Sequence, residues 1–208
     1  MAEQLSILSC RDFAAILASK QPVPGGGGAA ALVGALSAAL CSMVGNFTTG
    51  KKRYAEVEAD IQRMLVDAGE LREKLLDLVD DDAIAFEPLS RAYAIPKEDP
   101  QHIAILEVAT QDACKAPLEM MHVCAQTIDL LDEMGQKGSR MLLSDVACGA
   151  YFAVAALQSA ALNVFVNTKP FRSHDWAIAV ENDAKTLLDM YPERGNLVAR
   201  KIFDQLKR

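Results

Sequence analysis

The stretch PVPGGGGAAALVGALSAALCSMVGNFTTGKKRY, Pro22 to Tyr54, decides how the rest of the chain is read. It opens on two prolines and four glycines, runs on without a charge, and closes on Lys51, Lys52 and Arg53. Glycine loses more conformational freedom on folding than any other residue, so four in a row are unfavourable unless the backbone is needed there. The alanine- and leucine-rich run that follows, from about Gly27 to Thr48, reads as a helix with small side chains on most faces. Gly25, Gly26, Gly27 and Gly28 then form the approach to its N-terminus. Such a terminus presents unpaired N–H groups and partial positive charge, and bare glycines let a ligand reach them. The competing reading is a tight turn after Pro22 and Pro24.

A second run has the same character. From Met141 to Thr168 the only charge is Asp145. Both runs reach the length of about 20 apolar residues that spans a bilayer. They are alanine-rich, however, are interrupted by Ser42, Asn46, Gln158 and Asn163, and lack aromatic belts. No membrane is expected. They read as two central helices whose small side chains let neighbouring backbones approach closely, and either can form the seam of a homodimer.

The remaining pattern is helical too. SCRD (Ser9–Asp12) reads as an N-cap opening a helix that ends near Lys20. A third helix is expected from about Tyr54 to Ala94, kinked or broken at Pro88, and Ile95–Pro100 is a loop. A fourth covers roughly His102–Met134, bent at Pro117, and Gly135–Ser139 is a turn. A fifth runs from about Arg140 to Thr168, and one or two shorter helices finish the chain. No stretch alternates long enough to be a strand. The expected fold is all-α, a bundle of long helices with two nearly charge-free central ones, over a single domain, residues 1–208.

Composition bounds the function. The 208 residues are 51% hydrophobic and 24% charged with net charge −7, which suits a packed globular protein and argues against nucleic-acid binding. A basic cluster in an acidic chain points instead to a small anionic ligand. Five cysteines without CxxC spacing suggest a reducing, cytoplasmic setting without disulfides or zinc. The N-terminal MAEQLSILSCRDF lacks the pattern of a signal peptide. His102, His122 and His174 have no metal-site spacing, so no metal is expected. Two nucleotide motifs fail: GxGxxG has neither a preceding strand nor its third glycine, and Gly45–Lys52 fits GxxxxGK but has Lys52 where Ser or Thr is required.

The cations Lys51–Arg53 follow a helix C-terminus, where the dipole favours positive charge, yet three exceed what a cap needs. A ligand carboxylate is the functional reading. In LLDLVDDDAIAFEPL (Leu75–Leu89), the positions Leu75, Val79, Asp82, Phe86 and Leu89 form one stripe, so Asp82 lies on the apolar face while Asp80 and Asp81 point to solvent. A carboxylate there is costly unless paired, and its pKa is open to a shift. Asp145 raises the same question, with placement near a helix N-terminus as its simpler explanation.

Taken together, PVPGGGGAAALVGAL, GKKRY, DDDAIAF and SDVACGAYFAVAALQSAALNVFVN resemble the cyclodeaminase/cyclohydrolase family of folate enzymes over about Phe13 to Lys169. The resemblance implies an all-helical homodimer or higher homo-oligomer with a metal-free folate site and no cofactor beyond the folate substrate. It implies site residues Pro24 and Gly25–Gly28 from the glycine element, and Lys51, Lys52, Arg53 and Tyr54 from the basic element. It adds Asp82, Ser144 and Asp145. Relatives often carry Gly-Asn where this chain has Gly138-Ser139. The implied reaction is hydrolysis of 5,10-methenyltetrahydrofolate, an amidinium cation, by water attack on its bridging carbon. Asp82 or Asp145 is the expected base or cation stabiliser, Lys51 a proton donor or tail binder, and the glycine loop the close wall. A chain this long has no room for a fused formiminotransferase, which favours the cyclohydrolase over cyclodeamination of formiminotetrahydrofolate with release of ammonia. A non-catalytic folate-binding oligomer is the third reading.

Overall fold

A computed structural model describes residues 4–207; residues 1–3, part of the segment read for a signal peptide, lie outside them. The described residues form six α-helices and no strand: α1 (Cys10–Leu17), α2 (Gly26–Asn46), α3 (Glu58–Tyr93), α4 (His102–Lys137), α5 (Leu143–Thr168) and α6 (Asp175–Leu206). The expected bundle is therefore present. Where one or two short helices were expected at the end, a single 32-residue helix runs through Pro192. Nor does Pro88 end α3, which continues to Tyr93. Short 3-10 turns precede α3 (Lys52–Val57), α5 (Arg140–Leu142) and α6 (Lys169–Phe171).

The N-cap expected at Ser9 is made: its hydroxyl accepts from the Asp12 amide at 3.1 Å. Helix α4 touches all four of the other long helices, and α2 and α5 lie antiparallel on one side of it. Their pairing runs from Gly26 beside Asn163, through Ser37 donating to the Gly149 carbonyl at 2.7 Å, to Thr48 accepting from the Ser139 amide at 2.8 Å. Small residues set the spacing. A Cβ on Gly34 would meet Cys124 Sγ at 3.0 Å, and one on Gly149 would meet Leu131 Cδ2 at 3.0 Å. Two core clusters fill the bundle, one around Leu75, Met120, Ile128 and Leu157, the other around Ile61, Met64, Leu131 and Val146.

One side of α2 and α5 stays open. Both helices are long and apolar enough to cross a membrane, and half or more of each is buried inside the bundle. Their uncovered stripe carries Leu36, Phe47, Tyr151, Phe152, Leu162 and Val166, each between 40% and 68% exposed. A shallow groove of about 450 Å³ runs along it between Ala29, Val33, Ala155, Ser159 and Leu162.

Candidate active site

The glycine run delivers backbone to a carboxylate. Gly25 is the extended residue before α2, and Gly26 and Gly27 are its first two helical residues. Asp82, on the α3 stripe between buried Val79 and partly buried Phe86, lies directly against Gly27. A Cβ on Gly27 would sit 2.5 Å from Asp82 Oδ2 and 2.6 Å from Cγ, so no other residue fits without moving the acid. Gly28 packs on Pro24 and Val79, where a Cβ would stand 3.3 Å from Pro24 Cβ. Pro22, Gly25–Gly27, Asp82, Phe86, Asn163 and Asn167 are among the residues that line a cavity of about 180 Å³.

The electrostatics of Asp82 follow from this placement. Withdrawal from water pushes its carboxyl above the ordinary carboxylate range, and the Gly28 backbone N–H acts in the opposite direction. No lysine or arginine among the described residues pairs with it, and none lines the cavity. Among the described residues the α2 N-terminus is its evident source of positive potential, worth up to about 2 kcal/mol for a partly buried group. A buried carboxylate held by backbone alone leaves its charge available to a cationic ligand.

Asp80 departs from expectation. Its side chain is not simply solvated: it accepts from the Leu5 amide at 2.6 Å and from the Ser6 hydroxyl at 2.5 Å, tying the N-terminal segment to α3. Asp81 is exposed, as its register predicts.

The cations lie elsewhere. Helix α2 ends at Asn46 with Phe47 as its C-cap, and no base stands in its last turn. Lys51, Lys52 and Arg53 therefore do not cap it. They follow Gly50, whose φ of +73° belongs to the left-handed region that favours glycine, and Glu58 accepts from the Gly50 amide at 2.9 Å. All three are exposed. The Arg53 guanidinium lies 5.6 Å from the Tyr54 ring centroid, and the Tyr54 hydroxyl accepts from the Arg140 amide at 3.1 Å. That amide, the Ser139 side chain, Arg53 and Lys51 together lower the Tyr54 phenol from its ordinary value. Ser139 is buried beside it. Exposed Ser144 and partly buried Asp145 stand in the first turn of α5, at this same end.

The structure thus brings together Gly25, Gly26, Gly27 and Asp82, with Pro24 and Gly28 packed behind. Lys51–Tyr54 lie at the other end of α2, the end at which Ser144 and Asp145 open α5. Twenty residues of α2 separate the two ends, about 30 Å at 1.5 Å per residue. Asp145 stands eighteen residues along α5 from Asn163, so within one chain it does not reach the Asp82 cavity. Sequence reading passed over Asn163 and Asn167 as cavity residues. Their signal was present as two polar residues four apart near the end of a charge-free helix, which puts them on one face.

A family model described as formiminotransferase-cyclodeaminase matches residues 9–186. This chain belongs to that family. Among relatives of this family member, the methenyltetrahydrofolate cyclohydrolase of Methylorubrum extorquens is 41% identical over 195 residues, covering 92% of each chain. The formimidoyltransferase-cyclodeaminase of Mus musculus is 29% identical over 204 residues, and the match takes in 93% of this chain but 37% of that much longer one. The crystal structure of formiminotetrahydrofolate cyclodeaminase from Thermotoga maritima superposes with a TM-score of 0.84 at 28% identity, covering 96% of this chain and 99% of that one.

Proposed function

We propose that the chain, read as a single domain, is a methenyltetrahydrofolate cyclohydrolase, converting 5,10-methenyltetrahydrofolate and water to 10-formyltetrahydrofolate. One observation carries the chemistry: Asp82 sits in a glycine-walled cavity without a cationic partner. The identity of 41% to a cyclohydrolase over 92% of each chain favours this reaction over the cyclodeaminase one. Asp82 stabilises the amidinium and takes a proton from the attacking water, a role suited to a carboxylate whose pKa burial has raised above the ordinary range. The α2 N-terminus forms the close wall of the site.

The second half of the site comes from a partner copy. A cavity of about 180 Å³ is smaller than the roughly 300–1,000 Å³ of sites that enclose drug-sized ligands. The missing cations stand at the opposite end of the open α2–α5 stripe. A twofold axis across that antiparallel stripe lays each glycine end against the other subunit's basic end. It also covers the exposed leucine, valine and aromatic side chains, which favours a second copy over lipid as their cover. Lys51 of the partner subunit then meets the anionic glutamate tail or returns the proton to N5, with Lys52, Arg53, Tyr54, Ser144 and Asp145 of that subunit around it. The enzyme is accordingly a homodimer or a higher assembly of such dimers.

The test is loss of methenyl absorbance near neutral pH by purified protein, run beside ammonia release from formiminotetrahydrofolate. Rapid absorbance loss, abolished in Asp82→Asn, is expected. Ammonia release without methenyl hydrolysis assigns the cyclodeaminase activity instead. Folate binding with neither turnover leaves a non-catalytic folate-binding oligomer.

A further inference from the structure

Pro117 lies inside α4 and has no N–H, so the carbonyl four residues earlier, that of Ala113, is denied its helical partner. Another donor replaces it. Asn167 of α5 donates its side-chain Nδ2 to the Ala113 carbonyl at 3.1 Å. The bond fixes the carboxamide: with nitrogen committed to Ala113, Oδ1 is the atom left over. Asn163, one turn earlier, is oriented in the same manner by donating Nδ2 to the Ser159 carbonyl at 3.0 Å. Among the described residues neither Oδ1 accepts a hydrogen bond, and both residues line the Asp82 cavity. Two carboxamides and one carboxylate thus give that wall its side-chain acceptors, and no lysine or arginine is among them.

We propose that Asn163 and Asn167 are specificity-determining residues whose carboxamide oxygens, with Asp82, select the cationic ring system of the substrate, and that Pro117 is the positioning residue that aims Asn167. The inference rests on the cyclohydrolase reading. In that reaction the substrate carries the amidinium charge and the 10-formyl product does not. Oriented amide oxygens favour the cation through their dipoles and add no further negative charge beside Asp82, whose ionisation a second carboxylate would oppose. The wall therefore binds substrate more tightly than product, which helps product leave.

The experiment compares KM for 5,10-methenyltetrahydrofolate with Ki for 10-formyltetrahydrofolate in the wild type, Asn163→Ala, Asn167→Ala, Pro117→Ala and the double variant Pro117→Ala/Asn167→Ala. Each asparagine variant is expected to raise KM about tenfold, through loss of one oriented dipole facing the cation, while Ki changes by less than about twofold. Pro117→Ala gives α4 its own N–H for the Ala113 carbonyl, frees Asn167, and raises KM by a smaller factor. In the double variant that N–H satisfies the carbonyl, so the chain folds even where Asn167→Ala alone does not, and its KM is expected to match the loss of Asn167. KM and Ki moving in parallel, or an unchanged KM in the folded asparagine variants, overturns the inference. A wild type that does not hydrolyse the methenyl substrate refutes the cyclohydrolase reading itself, which is a separate outcome.

Discussion

Replacing Gly27 by alanine adds one methyl group at the point where α2 and Asp82 meet. The new Cβ would lie 2.5 Å from Oδ2, against an ordinary contact of 3.4 Å or more, so the carboxylate must retreat by about 1 Å. The end of a side chain gives way before the helix does, since Gly28 seats α2 against Pro24 and Val79. A displacement of about 1 Å in a reacting group is worth about a hundredfold in rate, or about 2.7 kcal/mol of barrier. Stability changes less. Alanine in place of glycine favours the helix by about 1 kcal/mol, and overpacking costs about 1–3 kcal/mol, so the net loss is at most about 2 kcal/mol. At about 2–4 °C per kcal/mol for a chain of this size, the melting midpoint falls by at most about 8 °C. The assay is kcat/KM from methenyl absorbance beside a thermal melt. Gly69→Ala is the control: its Cβ meets nothing within 4 Å, so activity should hold and stability rise by about 0.5–1 kcal/mol. A Gly27→Ala enzyme with kcat/KM within about threefold of wild type would show that the acid does not need its place against the helix.

Asp82 makes a linked prediction about pH. Its folded pKa is raised, so its contribution to stability is present below the ordinary carboxylate range and is lost as pH rises through the folded value. Asp82→Asn should therefore melt above the wild type at neutral pH, with the gap closing in acid, while the acid limb of wild-type kcat/KM lies above the ordinary carboxylate range; a variant less stable at neutral pH contradicts this. Mixing unfolded Asp82→Asn and Lys51→Met chains and refolding them together should restore about a quarter of wild-type activity, because half of the dimers are mixed and one of their two sites is intact. No recovery would place both residues in one chain's site or in none. Burial pushes the thiols of Cys41, Cys114 and Cys124 up to about 12, whereas Cys10 and Cys148 are exposed in the single chain. Alkylation of the assembled protein should find one fast thiol, Cys10, since Cys148 lies on the α5 stripe; two fast thiols would mean that the stripe is uncovered.

The helices were readable because their signals are local. Ser9 caps α1, charge-free runs mark α2 and α5, and a stripe spaced four, three, four and three placed Asp82 inward. What escaped depends on partners distant in sequence. Asp80 and Asp82 are two residues apart, and nothing nearby says that the first will hold Leu5 and Ser6. The fate of the Ala113 carbonyl is decided 54 residues away, at Asn167. The largest shortfall concerned distance: a motif that reads as one site, from Pro22 to Tyr54, is stretched by its own helix over about 30 Å.

That stretching explains why the chain accepts four glycines and two helices almost without charge. A carboxylate that must act on a cation cannot keep a lysine beside it, since the pair would neutralise the group the substrate needs. Backbone N–H groups at a helix start can hold the acid without neutralising it, provided that no side chain stands between, and Gly27 meets that condition. The cations for the other end of the substrate must then be kept far from Asp82 in the folding chain and brought within a substrate's length of it, not against it, in the finished site. A rigid helix of 21 residues does the first, and in the proposed dimer a second copy laid antiparallel along the α2–α5 stripe does the second. A charge in the middle of either helix would be buried by that pairing without a partner, so the composition of the two runs follows from the same requirement.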